Sequence, residues 1–211
     1  MTSLRHNTVP DAGPDTRPTA DDALLDAARA AILAVGWRRT TLTDIARRAG
    51  VSRMTIYRRW PDMQTLLADL MTREWSGVVE DAALDDAATV RDRLVGGVVA
   101  TVRALRSNEL FLKIVEVDPE LLLPYLLDRR GRTQDAILGL VEAALVEGQA
   151  EGSVRSGDPV LLARSVVLTC HGFALSTQTM TGSATGAATS GPAESDLEDQ
   201  LRALVDRYLR P

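Results

Sequence analysis

Residues 41–60 read TLTDIARRAGVSRMTIYRRW, and the fold is decided there. Thr41 and Asp44 have the T-x-x-D spacing of a capping box. The threonine hydroxyl accepts the Asp44 backbone N–H, and the carboxylate is expected to reach back to the Thr41 N–H. A short helix over 42–49 follows, with Ile45 inward and Ala46 small enough for a neighbouring helix to cross closely. Gly50 suits the left-handed residue of a tight inter-helix turn. Val51 plugs the angle, and Ser52 caps a second short helix over 53–59, from which Ile56 points back into a core. The outer face is left with Arg53, Met54, Thr55, Tyr57, Arg58 and Arg59. Two helices joined this way are a helix-turn-helix, and an exposed arginine-rich second helix suits the major groove, where guanidinium bonds guanine O6 and N7 together.

The charge distribution points the same way. The 211-residue chain has a net charge of −5, which at first argues against a nucleic-acid partner. Yet Gly36 to Trp60 holds seven arginines against the single acid Asp44, a net of +6, leaving −11 elsewhere. A cationic patch on an acidic body is the footprint of a local DNA contact and discourages non-specific wrapping. The bland alternative, an αα-corner with a solvated basic face, does not account for caps, glycine, apolar plug and basic face coinciding within twenty residues.

Outward from this centre, the run GWRRTTLTDIARRAGVSRMTIYRRWPDMQTLL resembles the N-terminal domain of the tetracycline-repressor (TetR, AcrR-like) family of bacterial transcriptional regulators. Gly36, Trp37, Thr40, Thr41, Ile45, Ala46, Ala49, Gly50, Val51, Ser52, Tyr57 and Trp60 match its pattern, and the likeness covers roughly residues 20–70. The resemblance implies a homodimer whose helical bodies bind small molecules and whose two heads bind a palindromic operator on double-stranded DNA. By position it makes Thr41 and Tyr57 phosphate contacts, and Thr43, Arg53, Met54 and Arg58 base readers. Met63 stands where members often carry a phosphate-binding lysine, so Arg39, Arg48 or Arg59 would have to supply that contact.

Upstream, residues 1–19 contain Pro10, Pro14 and Pro18 with little apolar periodicity and are read as a flexible arm. Leu24, Ala28, Ala31 and Val35 then recur at helical spacing, with Thr19 or Asp21 as cap and Gly36 as stop. Downstream, a helix is expected from Pro61 to about Trp75, then helices over 86–106, 108–117, 119–130, 132–151, 158–180 and 195–209, with a break over 181–192. No strand-like alternation persists, and aromatics make up only 4%. The fold class is therefore all-α: an arm (1–19), a three-helix DNA-binding head (20–66) and a larger helical ligand-binding and dimerisation body (67–211).

Within the body, Leu197, Leu201, Leu204 and Tyr208 form one stripe, and Leu161, Leu168 and Phe173 belong to a helix apolar nearly all round. Both are read as dimer faces. Polar or aromatic residues in apolar runs, namely Trp75, Phe111, Glu116, Tyr125, His171 and Gln178, are the candidate contacts for a small hydrophobic effector. Asn108 and Cys170 lie in similar surroundings and could line the same cavity, although Cys170 is read rather as a small core hydrophobe.

The leading reading is a repressor released from its operator by a small molecule, with a partner-controlled or constitutive DNA-binding protein as the alternative. An enzyme is not favoured. No G-x-S-x-G, H-E-x-x-H, P-loop or dinucleotide motif is present, and Cys170 and His171 would point about 100° apart on one helix. With one cysteine, no disulfide or multi-cysteine metal site is expected, nor any cofactor. No signal peptide and no apolar run of membrane-spanning length is read, so the expected setting is cytoplasmic.

Overall fold

The computed structural model describes residues 19–82, 88–181 and 191–211, and none of these is in a strand. The expected arm, except Thr19, lies outside the described residues, as does most of the expected break at 181–192.

Helix α1 (Ala20–Val35) starts on Thr19, whose hydroxyl accepts the Asp22 N–H at 3.2 Å while the Asp22 carboxylate accepts the Thr19 N–H at 3.0 Å. It stops at Gly36, whose φ of +83° only glycine adopts easily. Helices α2 (Leu42–Arg48) and α3 (Arg53–Arg59) follow. Helix α4 (Met63–Ala82) begins two residues after Pro61, because Asp62 is its cap: Oδ1 accepts the Thr65 N–H at 2.7 Å. It also runs a further two turns beyond the Trp75 end read from sequence. Leu24, Ile32, Ile45, Ile56 and Trp60 form one core with Leu66 and Leu70 of α4, and that core also takes in Leu110 and Ile114 from further along the chain.

The body contains α5 (Val90–Ser107), α6 (Glu109–Val117), α7 (Arg132–Glu151), α8 (Pro159–Met180) and α9 (Glu194–Leu209). Helix α5 starts at Val90 rather than at 86, because Thr89 caps it. Asp158 caps α8 ahead of Pro159. The helix expected over 119–130 is absent. A 3₁₀ turn (Pro119–Leu121) and a π-helical turn (Pro124–Asp128) replace it. Pro124 has no N–H for the bond back to residue 120, and its ring clashes with that carbonyl.

The body core joins Val99 and Val102 of α5, Leu145 of α7, Leu162 and Val166 of α8, and Leu201, Val205 and Leu209 of α9. The dimer role expected for Leu201 is corrected: the residue is fully buried inside its own chain. The 197/201/204/208 stripe mixes two faces. The inward row is 201/205/209, and Leu204 (51% exposed) and Tyr208 (37%) lie along its exposed edge. Helix α8, at 22 residues, is apolar enough to cross a bilayer by length and composition alone, a test that a core helix also passes, and its Leu162, Ala163 and Val166 are buried in the body core.

Candidate nucleic-acid interface and ligand cavity

The turn between α2 and α3 has the geometry its sequence demands. Gly50 sits at φ +68°, the Val51 N–H donates to the Ala46 carbonyl at 3.0 Å, and the Ser52 hydroxyl accepts the Thr55 N–H at 3.1 Å. Thr41 accepts the Asp44 N–H at 3.2 Å. The return half of the expected capping box differs: the Asp44 carboxylate takes the Thr41 hydroxyl proton at 2.7 Å rather than the Thr41 backbone N–H. That bond, against the opposing effect of desolvation and with a lesser contribution from the neighbouring Arg47, holds the Asp44 carboxyl below the usual carboxylate range.

Ile56 is fully buried, so α3 is locked with its opposite face outward, where Met54 is 76% and Tyr57 49% exposed. Arg53, Arg58 and Ser52 are exposed beside them, and Thr55 and Thr43 are half-buried. The seven arginines of the basic segment then fall into two groups. Arg38, Arg47 and Arg59 are paired with Glu120, Asp44 and Asp21. Among the described residues Arg39, Arg48, Arg53 and Arg58 form no ion pair, and all four are exposed. Arg39 and Arg48 line a shallow cleft beside α2 together with Thr40, Asp44 and Arg47. Arg59 is turned from the outer face toward Asp21 and over the Trp60 ring, 5.3 Å from its centroid. Met63, where a phosphate-binding lysine is frequent, packs against the head core.

The head is fastened to the body at two places that sequence reading missed. Asp118, buried at the end of α6, accepts the Trp37 N–H at 2.8 Å, and Glu120 accepts from Arg38 Nε at 2.6 Å. The Glu74 carboxylate on α4 accepts from Arg29 of α1 at 3.4 Å and from Asn108 at 3.3 Å. The sequence carried a signal for the first, since an acid before a proline usually stays outside a helix with its carboxylate free to bond elsewhere.

A half-open cavity of about 740 Å³ lies in the body, against the end of α3 and the start of α4. Its inner walls are Met71 and Trp75 of α4, Phe111 and Ile114 of α6, and Ile137 and Leu175 of α7 and α8. Trp75 and Phe111 meet edge to face at 5.8 Å and 79°. Four of the residues singled out from sequence, Trp75, Phe111, Tyr125 and His171, line it. Glu116 and Gln178 do not: both are exposed and lie outside the wall. Burial depresses the His171 pKa, so the imidazole is held neutral. It pushes the Cys170 thiol up to about 12, which leaves no thiolate for nucleophilic or redox chemistry. Among the described residues no three His, Cys, Asp or Glu side chains gather as a metal site.

Residues 24–70, the whole helix-turn-helix with most of α1 and the first turns of α4, match the model of the bacterial regulatory proteins of the tetR family. An uncharacterized HTH-type transcriptional regulator of Mycobacterium bovis is 39% identical over 145 residues, which is 69% of this chain and 75% of that protein. The chain belongs to the TetR family. A Mycobacterium tuberculosis regulator described in the same words is likewise 39% identical over 145 residues, with the same coverage. As a TetR-family member the chain is a DNA-binding transcriptional regulator. Its fold is shared with a putative TetR-family regulator from Rhodococcus sp., at TM-score 0.65 and 24% identity over 90% of this chain and 98% of that one. It is also shared with the regulator FadR from Bacillus subtilis, solved in complex with stearoyl-CoA, at TM-score 0.62 and 18% identity over 89% and 98%.

Proposed function

We propose that the protein is a homodimeric repressor that holds a palindromic operator through α3 and releases it when a small molecule fills the body cavity. The observation carrying this reading is the double duty of α4. Leu66 and Leu70 of that helix belong to the head core, while Thr65, Ala68, Met71, Thr72 and Trp75 face the cavity. A ligand that moves α4 therefore moves the head. It shifts the population only to the extent that it binds the displaced arrangement more tightly, and both half-sites must be engaged together for the operator to be held. A cavity of about 740 Å³ is within the usual range for small-molecule sites. The stearoyl-CoA complex of the Bacillus subtilis FadR supports the capacity of this body architecture to house a ligand.

The dimer rests on α8 and α9. Leu161 and Leu168 are 61% and 69% exposed on α8, and Leu204 and Tyr208 are 51% and 37% exposed on α9, which packs against α8. A helix this apolar and this uncovered is a face awaiting a partner. Phe173 and Leu197, also expected there, are half-buried, and Phe173 packs on the body core. Residues 1–19 as an arm, 20–66 as the DNA-binding unit and 67–211 as the ligand-binding and dimerisation unit complete the reading, in a cytoplasmic setting.

A thermal-shift screen of metabolites, coupled to operator release, tests the effector. At least one compound should both stabilise the folded chain and displace DNA. If every stabilising compound left DNA binding intact, the partner-controlled or constitutive alternative would replace it.

A further inference from the structure

Chemistry is distributed unevenly along the cavity. The buried and half-buried part of its lining includes Trp75, Leu105, Phe111, Ile114, Ile137 and Leu175. His171, half-buried beside these residues, is kept neutral by burial. A charged ligand group placed there would lose its hydration without gaining a counter-charge. The solvent-exposed rim is different: its lining includes Arg59, Arg129, Arg130 and Arg132, against Asp62 and the half-buried Asp69.

Both rim carboxylates are already engaged. Asp62 accepts the Thr65 N–H at 2.7 Å and the Thr65 hydroxyl at 2.9 Å. Asp69 accepts Trp60 Nε1–H at 2.8 Å and pairs with Arg132. Burial tends to raise the Asp69 carboxyl, but those two bonds outweigh it and hold it ionised. Arg59 and Arg130 are paired with Asp21 and Asp135 outside the rim. Arg129 lies 5.5 Å over the Tyr125 ring and, among the described residues, pairs with no acid. Gly131 keeps this segment close to the ring, since a Cβ there would stand 3.2 Å from Tyr125 Cδ1. Guanidinium forks match the planar or tetrahedral oxygens of carboxylate and phosphate. A solvated basic surface needs no aromatic shelf, no glycine and no apolar chamber behind it.

We propose that the cavity takes an amphiphile with one apolar chain and an anionic head, the chain lying against Trp75 and Phe111 and the head held by the rim arginines, with Arg129 as its principal contact. This rests on the effector reading above and specifies its ligand. It also gives the ligand a direct handle on DNA binding, because Arg59 is the last residue of α3.

The test varies head and tail separately, below micelle-forming concentrations. Binding of dodecyl phosphate, dodecanoate, dodecanol and dodecylamine to the full-length protein is followed by calorimetry. The two anions should bind roughly ten- to a hundredfold more tightly than the alcohol, as for a charge-assisted hydrogen bond, with the amine weakest. The tighter of the two anions identifies whether phosphate or carboxylate is the better head. Within the better series each added methylene should tighten binding about fourfold until the chamber is filled. Arg129→Gln should remove most of the anion's advantage and leave dodecanol affinity and operator binding unchanged. Equal affinity for alcohol and anions, or an Arg129→Gln protein that binds the anion normally, overturns the proposal. If neutral or cationic compounds release DNA while the anions do not, the effector reading survives and this one fails. If the metabolite screen yields no releasing compound at all, the effector reading fails too.

Discussion

Tyr57 and Arg58 are adjacent and exposed on α3, yet their roles should separate. Tyr57→Phe removes a hydroxyl expected at the DNA backbone, so affinity should fall by similar factors for operator and scrambled duplex. Arg58→Ala should cost about 1–3 kcal/mol at one symmetric pair of base positions and flatten the preference there. Unchanged base preferences would make Arg58 a phosphate anchor and pass the reading to Arg53 and Thr43. Two adjacent residues of α8, His171 at the cavity and Cys170 against the body core, set a pH dependence. The His171 pKa is depressed by burial, so the unfolded chain takes up that proton first as pH falls. Its stabilising contribution is complete above about pH 6.5 and is lost on going below it. Cys170 acts at the other limb: with its thiol raised from 9.0 to about 12, stability is lost as pH rises above 9. Chemical denaturation from pH 5 to 10 should show both losses, and His171→Gln should flatten the acidic one. A wild-type acid limb that His171→Gln leaves unaltered would refute the assignment.

The elements differ in how far their sequence specified them. The helix-turn-helix was legible because its information is local: Thr41, Gly50 and Ser52 each act on a backbone group within a few residues. The body was less so, because helix phase depends on partners far along the chain. The α9 stripe put Leu201 on the wrong face, and Glu116 and Gln178, polar in apolar runs, turned out to be solvated. The rim arginines were overlooked because a cluster such as Arg129-Arg130 reads as surface until the chain behind it is seen to fold over a cavity. Corrected phase separates two variants that sequence alone would have treated alike. Leu201→Asp puts a carboxylate into the body core and should unfold the chain, whereas Leu204→Asp, on the exposed side, should leave a folded monomer in sedimentation. A folded dimer with Leu204→Asp would place the interface elsewhere. At the α6 end, Asp118→Ala strips the Trp37 N–H of its acceptor and should cost about 1–3 kcal/mol, whereas Asp118→Asn, which retains an acceptor oxygen, should restore most of it. Equal stability of all three proteins in urea titrations would show that the clamp contributes nothing.

Across the whole molecule, a +6 segment sits within a chain of net charge −5. Intramolecular pairing of Arg38, Arg47 and Arg59 leaves Arg39, Arg48, Arg53 and Arg58 of this segment without an ion pair among the described residues. Binding should therefore be specific and salt-sensitive, log affinity falling with log salt at a slope of about −0.9 per phosphate neutralised. The acidic remainder limits attachment to DNA away from the operator. The central claim is that two copies present α3 to one palindrome, and selection of bound duplexes from a random library measures it most directly. The expected product is an inverted repeat whose half-sites are about one helical turn apart, ~34–36 Å, lost when Arg53 and Arg58 are both replaced by alanine in a protein that remains folded. Enrichment of no sequence, or of a single unrepeated half-site, would contradict the account.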